Sequence, residues 1–560
     1  MIMPIYEITA ATWANMLKCG ARNIRNNEKI VNDLNVFPIP DGDTGENMSL
    51  TIEGGLSAID PEESDLGEML SRMSEGMLMN ARGNSGVILS QFFGGLAKGI
   101  GDKNKATVSD LKRGFDSAVK KAYTSVLEPT EGTILTVMRE ATAYANENAP
   151  ENASIEEYIA AFLAEAKRSL VRTPDLLPVL KEAGLIDSGG AGLIYIMEGM
   201  ELALQGVSVE LARAEEAPKP SAKAVNLNGF DEESELTFGY CTECLLRLQK
   251  KKVDIDAFDV DTMIEVLDKM GNSIVCVKDG SIVKLHIHTM HPGEVFNFCQ
   301  KFGEFLTLKV ENMNLQHTET TIENNYPSPE KTETAAREHK EFAIVAVASG
   351  EGICQTFRDL GADEIITGGQ TMNPPAESFV EAFKRLDADH IIVLPNNSNI
   401  ILAARQAAEL YDPEKVRVLE SKTIGDGYAA LTMFDPTLGT IDAVMANLDE
   451  AIQNVKTGMV SNSVRESHLN GLDIHEGDYI GICGKDVLSD AETLEGAAEG
   501  LLRQMSLEDC SVLICIKGKG IGDDTLEAVT QLATGMYPAI EVYPLEGGQD
   551  VYPLILVAES

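Results

Sequence analysis

Apolar positions in the first two hundred residues recur at helical spacing. In LKRGFDSAVKKAYTSV, residues Leu111, Phe115, Val119, Ala122 and Val126 form one stripe with Lys and Asp between them, which predicts an amphipathic helix. Ser154 and Glu157 make a capping-box pattern, and Ile155, Ile159, Phe162, Ala166 and Leu170 behind them share one face. Glycine-bearing loops at 41–47, 83–86 and 187–192 interrupt these helices. Beyond about residue 236 the period changes. NSIVCVKDGSIVKLHIHT reads as two alternating strands around an Asp279-Gly280 turn, which would pair Lys278 with Ser281. From 342 onward short apolar runs (FAIVAVA, EIITGG, IIVLPN, VRVLE, SVLICIKG, AIEVYP, PLILVAE) alternate with helical stretches, the pattern of an α/β domain in two lobes.

Two polar stretches, 213–235 and 319–341, read as linkers. They divide the 560 residues into an all-α domain at 1–212, an α+β domain at 236–318 and an α/β domain at 342–560. A length near 150 residues per domain gives a similar multidomain expectation. With 46 Lys+Arg against 88 Asp+Glu, the net charge of −42 argues against sequence-independent nucleic-acid binding, because phosphates would be repelled over most of the surface. The run Lys250-Lys251-Lys252 reads as a solvated element end. Nine scattered cysteines do not form a disulfide framework, and the opening segment lacks the charged and apolar regions of a secretory signal. No apolar run reaches the roughly 18 residues of a membrane span. The expectation is a soluble, cytoplasmic protein.

Chemistry concentrates in the glycine-bearing loops. In NVFPIPDGDTGENM, Asp41 and Asp43 flank a glycine, and carboxylates so placed suit Mg²⁺, which takes one or two of them together with phosphate and water oxygens. Asn35 could add an amide oxygen. The loop Ala81-Arg82-Gly83-Asn84-Ser85-Gly86 precedes an apolar helical stretch, so its N–H groups could receive an anion, and Asp187-Ser188-Gly189-Gly190-Ala191-Gly192 repeats that design. No P-loop motif occurs, and Ser85 is not in a G-x-S-x-G elbow. Residues 1–285 contain no histidine, which rules out a Ser-His triad built from this domain alone.

In order, NVFPIPDGDTGENM, ARGNSGVILSQ, EPTEGTILTV and DSGGAGL resemble the nucleotide-binding subunit domain of dihydroxyacetone kinases, and more closely the catalytic subunit of bacterial fatty acid kinase. GYCTE, KLHIHT, GGQTMNP and LPNNSNI extend the resemblance over nearly the whole chain. It implies an N-terminal α-helical barrel of the Dak2 type holding ATP and a pair of Mg²⁺ ions, with Asp41 and Asp43 as metal ligands. The related pattern has an aspartate where Val36 stands, so the third ligand is assigned to Asn35. Thr44, Asn47, Asn84, Ser85 and Gly86 would touch phosphate or metal-bound groups. Gly132, Thr133, Asp187, Ser188 and Gly189 would line the nucleotide, and Glu46 receives no role.

In the middle domain, His286 and His288 are two apart on one strand and share a face, with Cys276 on the other. Cys241 and Cys244 are the sulfur candidates, and Zn²⁺ accepts mixed Cys/His sets. The resemblance implies zinc held by Cys241, His286 and His288; Cys244, His317 or water could complete the set. The C-terminal domain resembles a DegV-like fatty-acid-binding fold, with the Gly368–Pro374 and Leu394–Asn399 loops at strand ends, where open α/β sheets bind ligands.

The leading expectation is an ATP-dependent kinase that phosphorylates the carboxylate of a fatty acid presented by a separate DegV-like binding protein, giving an acyl phosphate. A homodimer accompanies that reading. The alternatives are a kinase for a small hydroxylated substrate such as dihydroxyacetone, and a scaffold or lipid sensor in which ATP only sets conformation.

Overall fold

The structure is a computed structural model that describes residues 4–35, 42–60, 62–207, 209, 240–253, 255, 258, 260–267, 269–270, 272–279, 281–312 and 339–559. The chain forms two compact units, Met1–Arg213 with Arg337–Ser560, and Ala214–Ala336. Most of the two stretches read as linkers, including all of 213–235, lies outside the described residues, as do Asp41 and His317.

The described residues up to Leu204 are mainly helical: α1 (Ala10–Asn26), α2 (Glu28–Asn32), α3 (Thr44–Ala58), α4 (Leu66–Met79), α5 (Gly83–Ile100), α6 (Val108–Thr124), α7 (Ile134–Asn148), α8 (Ile155–Leu176), α9 (Pro178–Ala183) and α10 (Ser188–Leu204). A short antiparallel pair, β1 (Ile8–Thr9) and β2 (Lys105–Ala106), joins the N-terminus to the start of α6. The predicted stripe on α6 buries Leu111, Phe115 and Ala122, whereas Val126 falls beyond the helix end. Phe115 is the hub of an aromatic cluster, edge-on to Phe92 at 5.7 Å, Tyr158 at 5.5 Å and Phe162 at 5.1 Å between centroids. The Tyr158 hydroxyl donates to Asn146 Oδ1 at 2.8 Å, so its polar tip is satisfied in the core. Gly95 lets α5 and α6 approach closely, since a Cβ there would stand 2.6 Å from Ala118 Cα. The capping box opens α8: Ser154 N–H donates to Glu157 Oε2 at 2.8 Å and Glu157 N–H to Ser154 Oγ at 3.3 Å.

The second unit is a four-stranded antiparallel sheet of β3 (Tyr240–Leu248), β4 (Asn272–Asp279), β5 (Ile282–Thr289) and β6 (Gly303–Asn312), in the order β4-β5-β3-β6, with helices α11 (Val260–Leu267) and α12 (Pro292–Cys299). Cys244, Leu246, Leu248, Val283, Leu285 and Ile287 alternate onto one face and bury against Met263, Leu267, Val295 and Cys299 of the two helices. The expected turn is displaced by one position. Asp279 pairs with Ile282 and Lys278 with Val283, so Asp279 belongs to the ladder rather than to the turn. The displacement preserves the alternation: Cys276 opposes Leu285, on the face away from the two histidine positions.

The C-terminal half carries two sheets. Strands β7 (Lys340–Ala348), β8 (Glu364–Thr367), β9 (Ala388–Leu394) and β10 (Val416–Val418) are parallel in the order β10-β9-β7-β8. The apolar run FAIVAVA is continuous because both its faces are buried. Phe342, Ile344, Ala346 and Ala348 join one core cluster, and Ala343, Val345 and Val347 join another. Strand β7 starts inside the stretch read as a linker; Lys340 and Glu341 are exposed, and Lys340 Nζ pairs with Asp363 at 2.5 Å, so polar residues are tolerated at this strand end. Further along come β11 (Val455–Asn462), the small hairpin β12 (Ser467–Leu469) and β13 (Leu472–Ile474), β14 (Tyr479–Cys483), β15 (Asp486–Ala491), β16 (Val512–Lys517), β17 (Glu541–Glu546) and β18 (Leu554–Glu559). Apart from that hairpin they form a six-stranded sheet in the order β15-β14-β11-β18-β16-β17, antiparallel except for the parallel β16–β17 pair. Ile514, Ile516, Ile555 and Val557 share a core cluster with one face of β7, which ties the two sheets together.

Asp110, buried in the first turn of α6, is an electrostatic anchor of the helical half. Burial opposes its ionisation, but hydrogen bonds from Lys103, the Thr107 N–H and hydroxyl, and Arg113 outweigh it and hold the carboxyl well below the usual aspartate range. A depressed folded-state pKa stabilises above the unfolded value and is lost as pH falls. Asp110→Asn should therefore cost about 1 kcal/mol at neutral pH, discounted because Lys103 and Arg113 stay partly in water. The gap from the parent should close as pH drops below about 4. Denaturant unfolding followed by the fluorescence of Trp13, the sole tryptophan and buried in this half, measures both.

Candidate active site

Four helices of the first half begin around one cavity. Asp43 precedes α3, Arg82 precedes α5, Thr133 precedes α7 and Asp187 caps α10. Each helix leaves its first N–H groups without intrahelical partners, so these starts offer donors and positive dipole ends at one place. The cavity has a volume of about 510 Å³. Its polar wall comprises Asn35, Asp43, Thr44 and Asn47, then Asn84 and Ser85, then Thr133, then Asp187, Ser188 and Gly189. Its apolar wall comprises Ile88, Val126, Ile134, Leu135 and Leu402.

Within the polar wall, Thr44 Oγ1 donates to Asn35 Oδ1 at 3.0 Å, and Ser188 Oγ lies 3.4 Å from the same oxygen and 3.2 Å from Thr44 Oγ1. Asn32 Oδ1 accepts the Gly45 N–H at 2.6 Å, holding the first turn of α3 against α2. Asp43 is 8% exposed. Asp187 accepts the Gly190 N–H at 2.6 Å as the cap of α10. Half-buried by surface but recessed in the wall, it is desolvated, and this outweighs the N–H bonds from Gly190 and Ile134 and pushes its pKa up to about 6.

The structure thus brings together ten of the residues singled out from sequence. Gly86 and Gly132 are not on the wall: Gly86 lies against Thr51, and the Gly132 N–H donates to Thr136 Oγ1 at 2.8 Å. Both shape backbone behind the site. Asp41 lies outside the described residues. Sequence reasoning gave no site role to Val126, Glu128 and Thr130, which line the cavity: the EPTEGTILTV motif was read for Gly132 and Thr133, and Val126 as part of a helical stripe. It also missed the contribution of the C-terminal half. Asn399 and Leu402 line the cavity, Asn84 Nδ2 donates to Asn399 Oδ1 at 3.3 Å, and Asn373 Nδ2 donates to Asp43 Oδ2. The Asn-rich loops were visible as strand-end loops, but nothing local says what they face.

Hard oxygen donors suit Mg²⁺, and the wall supplies them: the Asp43 carboxylate and the Asn84 Oδ1, which is buried with no hydrogen-bond partner. The Asn35 oxygen is already engaged by two hydroxyls, and binding a cation there would require them to turn.

In the second unit the ladder register sets Cys241 directly opposite His288, with His286 two positions along the same strand opposite Glu243. Cys244 is a core residue of the other face, 4% exposed and hydrogen-bonded with Cys299, so it does not complete a ligand set with Cys241.

Three family profiles cover most of the chain: the DAK2 domain at 38–202, the fatty acid kinase FakA-like middle domain at 237–320 and the fatty acid kinase FakA-like C-terminal domain at 343–559. Protein YloV of Bacillus subtilis (strain 168) is 39% identical over 565 residues, spanning 100% of both chains. The chain belongs to the FakA-like fatty acid kinase family. Among solved structures, a fatty-acid-binding DegV family protein from Thermus thermophilus aligns with 39% of this chain and 100% of its own, at 15% identity and a TM-score of 0.30. The dihydroxyacetone kinase from C. freundii in complex with AMP-PNP and Mg²⁺ aligns with 36% of this chain and 35% of its own, at 18% identity and a TM-score of 0.27. Membership makes this FakA-like chain one of a kinase family. Among the described residues no helix is long and apolar enough to cross a membrane.

Gly83 begins α5 at φ +58°, and a Cβ there would lie 2.6 Å from Asn47 Nδ2. Gly83→Ala should cost about 1–2 kcal/mol from the left-handed backbone alone. It should also push Asn47 out of the cavity wall. Unfolding followed by Trp13 fluorescence reads the first effect, and a crystal structure of the variant the second.

Proposed function

We propose that this chain is the catalytic subunit of a fatty acid kinase, transferring the γ-phosphoryl group of ATP to the carboxylate of a fatty acid presented by a separate DegV-like binding protein. The observation that carries this reading is the buried Asp43 carboxylate set among four helix N-termini, in a cavity within the usual size range of ligand pockets. The N–H groups at the starts of α5 and α10 would receive phosphate oxygens, together with the hydroxyls of Thr44, Ser85, Thr133 and Ser188. Apolar Ile88, Val126, Ile134, Leu135 and Leu402 would take the base. Asp43 with Asp41, and Asn35 or Asn84, would hold Mg²⁺. When bound, that ion would neutralise charge on the phosphates as it spreads during transfer.

Phosphorylation of a carboxylate forms an O–P bond to the γ-phosphorus and breaks the bond to the bridging oxygen, releasing ADP. The acceptor is already ionised at pH 7, so no general base is required. No histidine or lysine lines the cavity among the described residues, which accords with such an acceptor. We read the chain as the three domains expected from the sequence, with a Dak2-type helical barrel first and DegV-like lobes last, acting as a homodimer in the cytoplasm. The middle domain would hold Zn²⁺ through Cys241, His286 and His288, a set supported by the register that sets Cys241 opposite His288.

Two measurements test this. Mg-ATP with a fatty-acid-loaded DegV-like protein should yield acyl phosphate, trapped as the hydroxamate. Asp43→Ala should lower the yield by about 100-fold or more, the upper end of what loss of even an outer-shell partner costs a metal site. Tight Mg-ATP binding with no product over several acyl lengths would turn the assignment toward an ATP-responsive scaffold. Separately, elemental analysis should find about one zinc per chain and a large loss in Cys241→Ser; a metal-free parent would remove the zinc assignment.

A further inference from the structure

The two flanks of the acidic segment are gripped by the C-terminal half of the same compact unit. On one flank, Arg465 donates to the backbone carbonyl of Asn35, and through its other terminal nitrogen to the carbonyl of Asp33 at 3.1 Å. On the other flank, Asn373 donates to Asp43 Oδ2. Asn373 is 3% exposed and follows a tight loop closed by backbone bonds between Gly369 and Met372 at 3.0 and 3.3 Å. Asn399 accepts from Asn84 beside it. Ala403, in the helix Ile401–Tyr411, packs with Ala81 and Val87 at the start of α5, and Gln406 donates to the Leu78 carbonyl at 2.6 Å.

A neutral amide is well suited to hold Asp43. Its N–H fixes the carboxylate rotamer, yet it adds no positive charge to compete with a cation, as a lysine or arginine would. The Arg465 grip on main-chain carbonyls likewise fixes the position of Asn35 through its backbone, without touching its side-chain oxygen. We infer that Asn373 and Arg465 are positioning residues of the nucleotide site: the C-terminal domain acts in cis by clamping the Asp43 and Asn35 flanks in the geometry that receives Mg-ATP. The inference rests on the Mg-ATP reading above. Asn399 extends the clamp to Asn84.

The test uses the full chain and two independent readouts. Calorimetry measures ATP binding with Mg²⁺ and with EDTA; hydrogen exchange of the ligand-free protein measures protection at Thr44–Asn47, with α8 as the fold control. Asn373→Ala and Arg465→Ala should each weaken Mg-ATP binding by about tenfold, as loss of an outer-shell partner does. Each should leave metal-free ATP binding unchanged and speed exchange at Thr44–Asn47 but not in α8. Arg465→Lys, which keeps a donor for the carbonyls, should restore much of the loss. Gln406→Ala removes the inter-domain bonds to the Leu78 carbonyl and from Gln91, outside the cavity lining, and should move neither readout. Parent-like binding and exchange in both clamp variants would overturn the inference, as would equal shifts in Gln406→Ala, which would reduce the contact to general domain docking. If the parent chain bound no Mg-ATP, the kinase reading would fall, while exchange at Thr44–Asn47 would still decide the clamp. Arg465→Ala, at a half-exposed position, keeps the test open if Asn373→Ala fails to fold.

Discussion

An α-helix cannot satisfy its own first N–H groups, and the site is built on that constraint. Four helix starts face one cavity, so donors that would otherwise need water or side-chain caps are gathered where an anion can use them. Some capping is supplied locally: Asp187 accepts the Gly190 N–H, and Asn32 accepts that of Gly45. The aromatic cluster around Phe115 and the close approach at Gly95 do not touch the cavity, but they fix how α5, α6 and α8 pack and hence where their ends project.

Placing carboxylates beside these donors has opposite consequences at two positions. Asp110 is surrounded by cationic and N–H donors, and its ionised form is favoured despite burial. Asp187 has only backbone donors, and desolvation wins, raising its pKa. The difference lies both in the partners and in how strongly each carboxyl is desolvated. At Asp43 the donor from Asn373 is a neutral amide, which holds the carboxylate without itself adding positive charge.

Much of this was legible residue by residue. The α6 stripe, the Ser154–Glu157 box and the apolar runs of β7, β9 and β16 announced their elements, because period and capping are local properties. The hairpin turn was misplaced by one position, since Asp279 is as compatible with the last ladder pair as with the turn and both registers keep the same residues on each face. Thr44, Asn84, Ser85 and Ser188 stood out because they sit in glycine-bearing loops just before apolar helices. Val126 stood out for the wrong reason, as the end of a helical stripe, when it lies past the helix and faces the cavity.

By itself the sequence determined the elements, the polar chemistry of the loops and, through its ordered motifs, the family, because all three are written in short-range patterns. Only the tertiary structure decided that Asn373, Asn399 and Leu402 belong to the same site as Asp43, although they are more than three hundred residues away along the chain. It also set Cys241 opposite His288 and sent Cys244 to the core. The physical reason is common to both. Which loop meets which helix start, and which residues face each other across a ladder, follow from the packing of whole faces, and no local spacing encodes that.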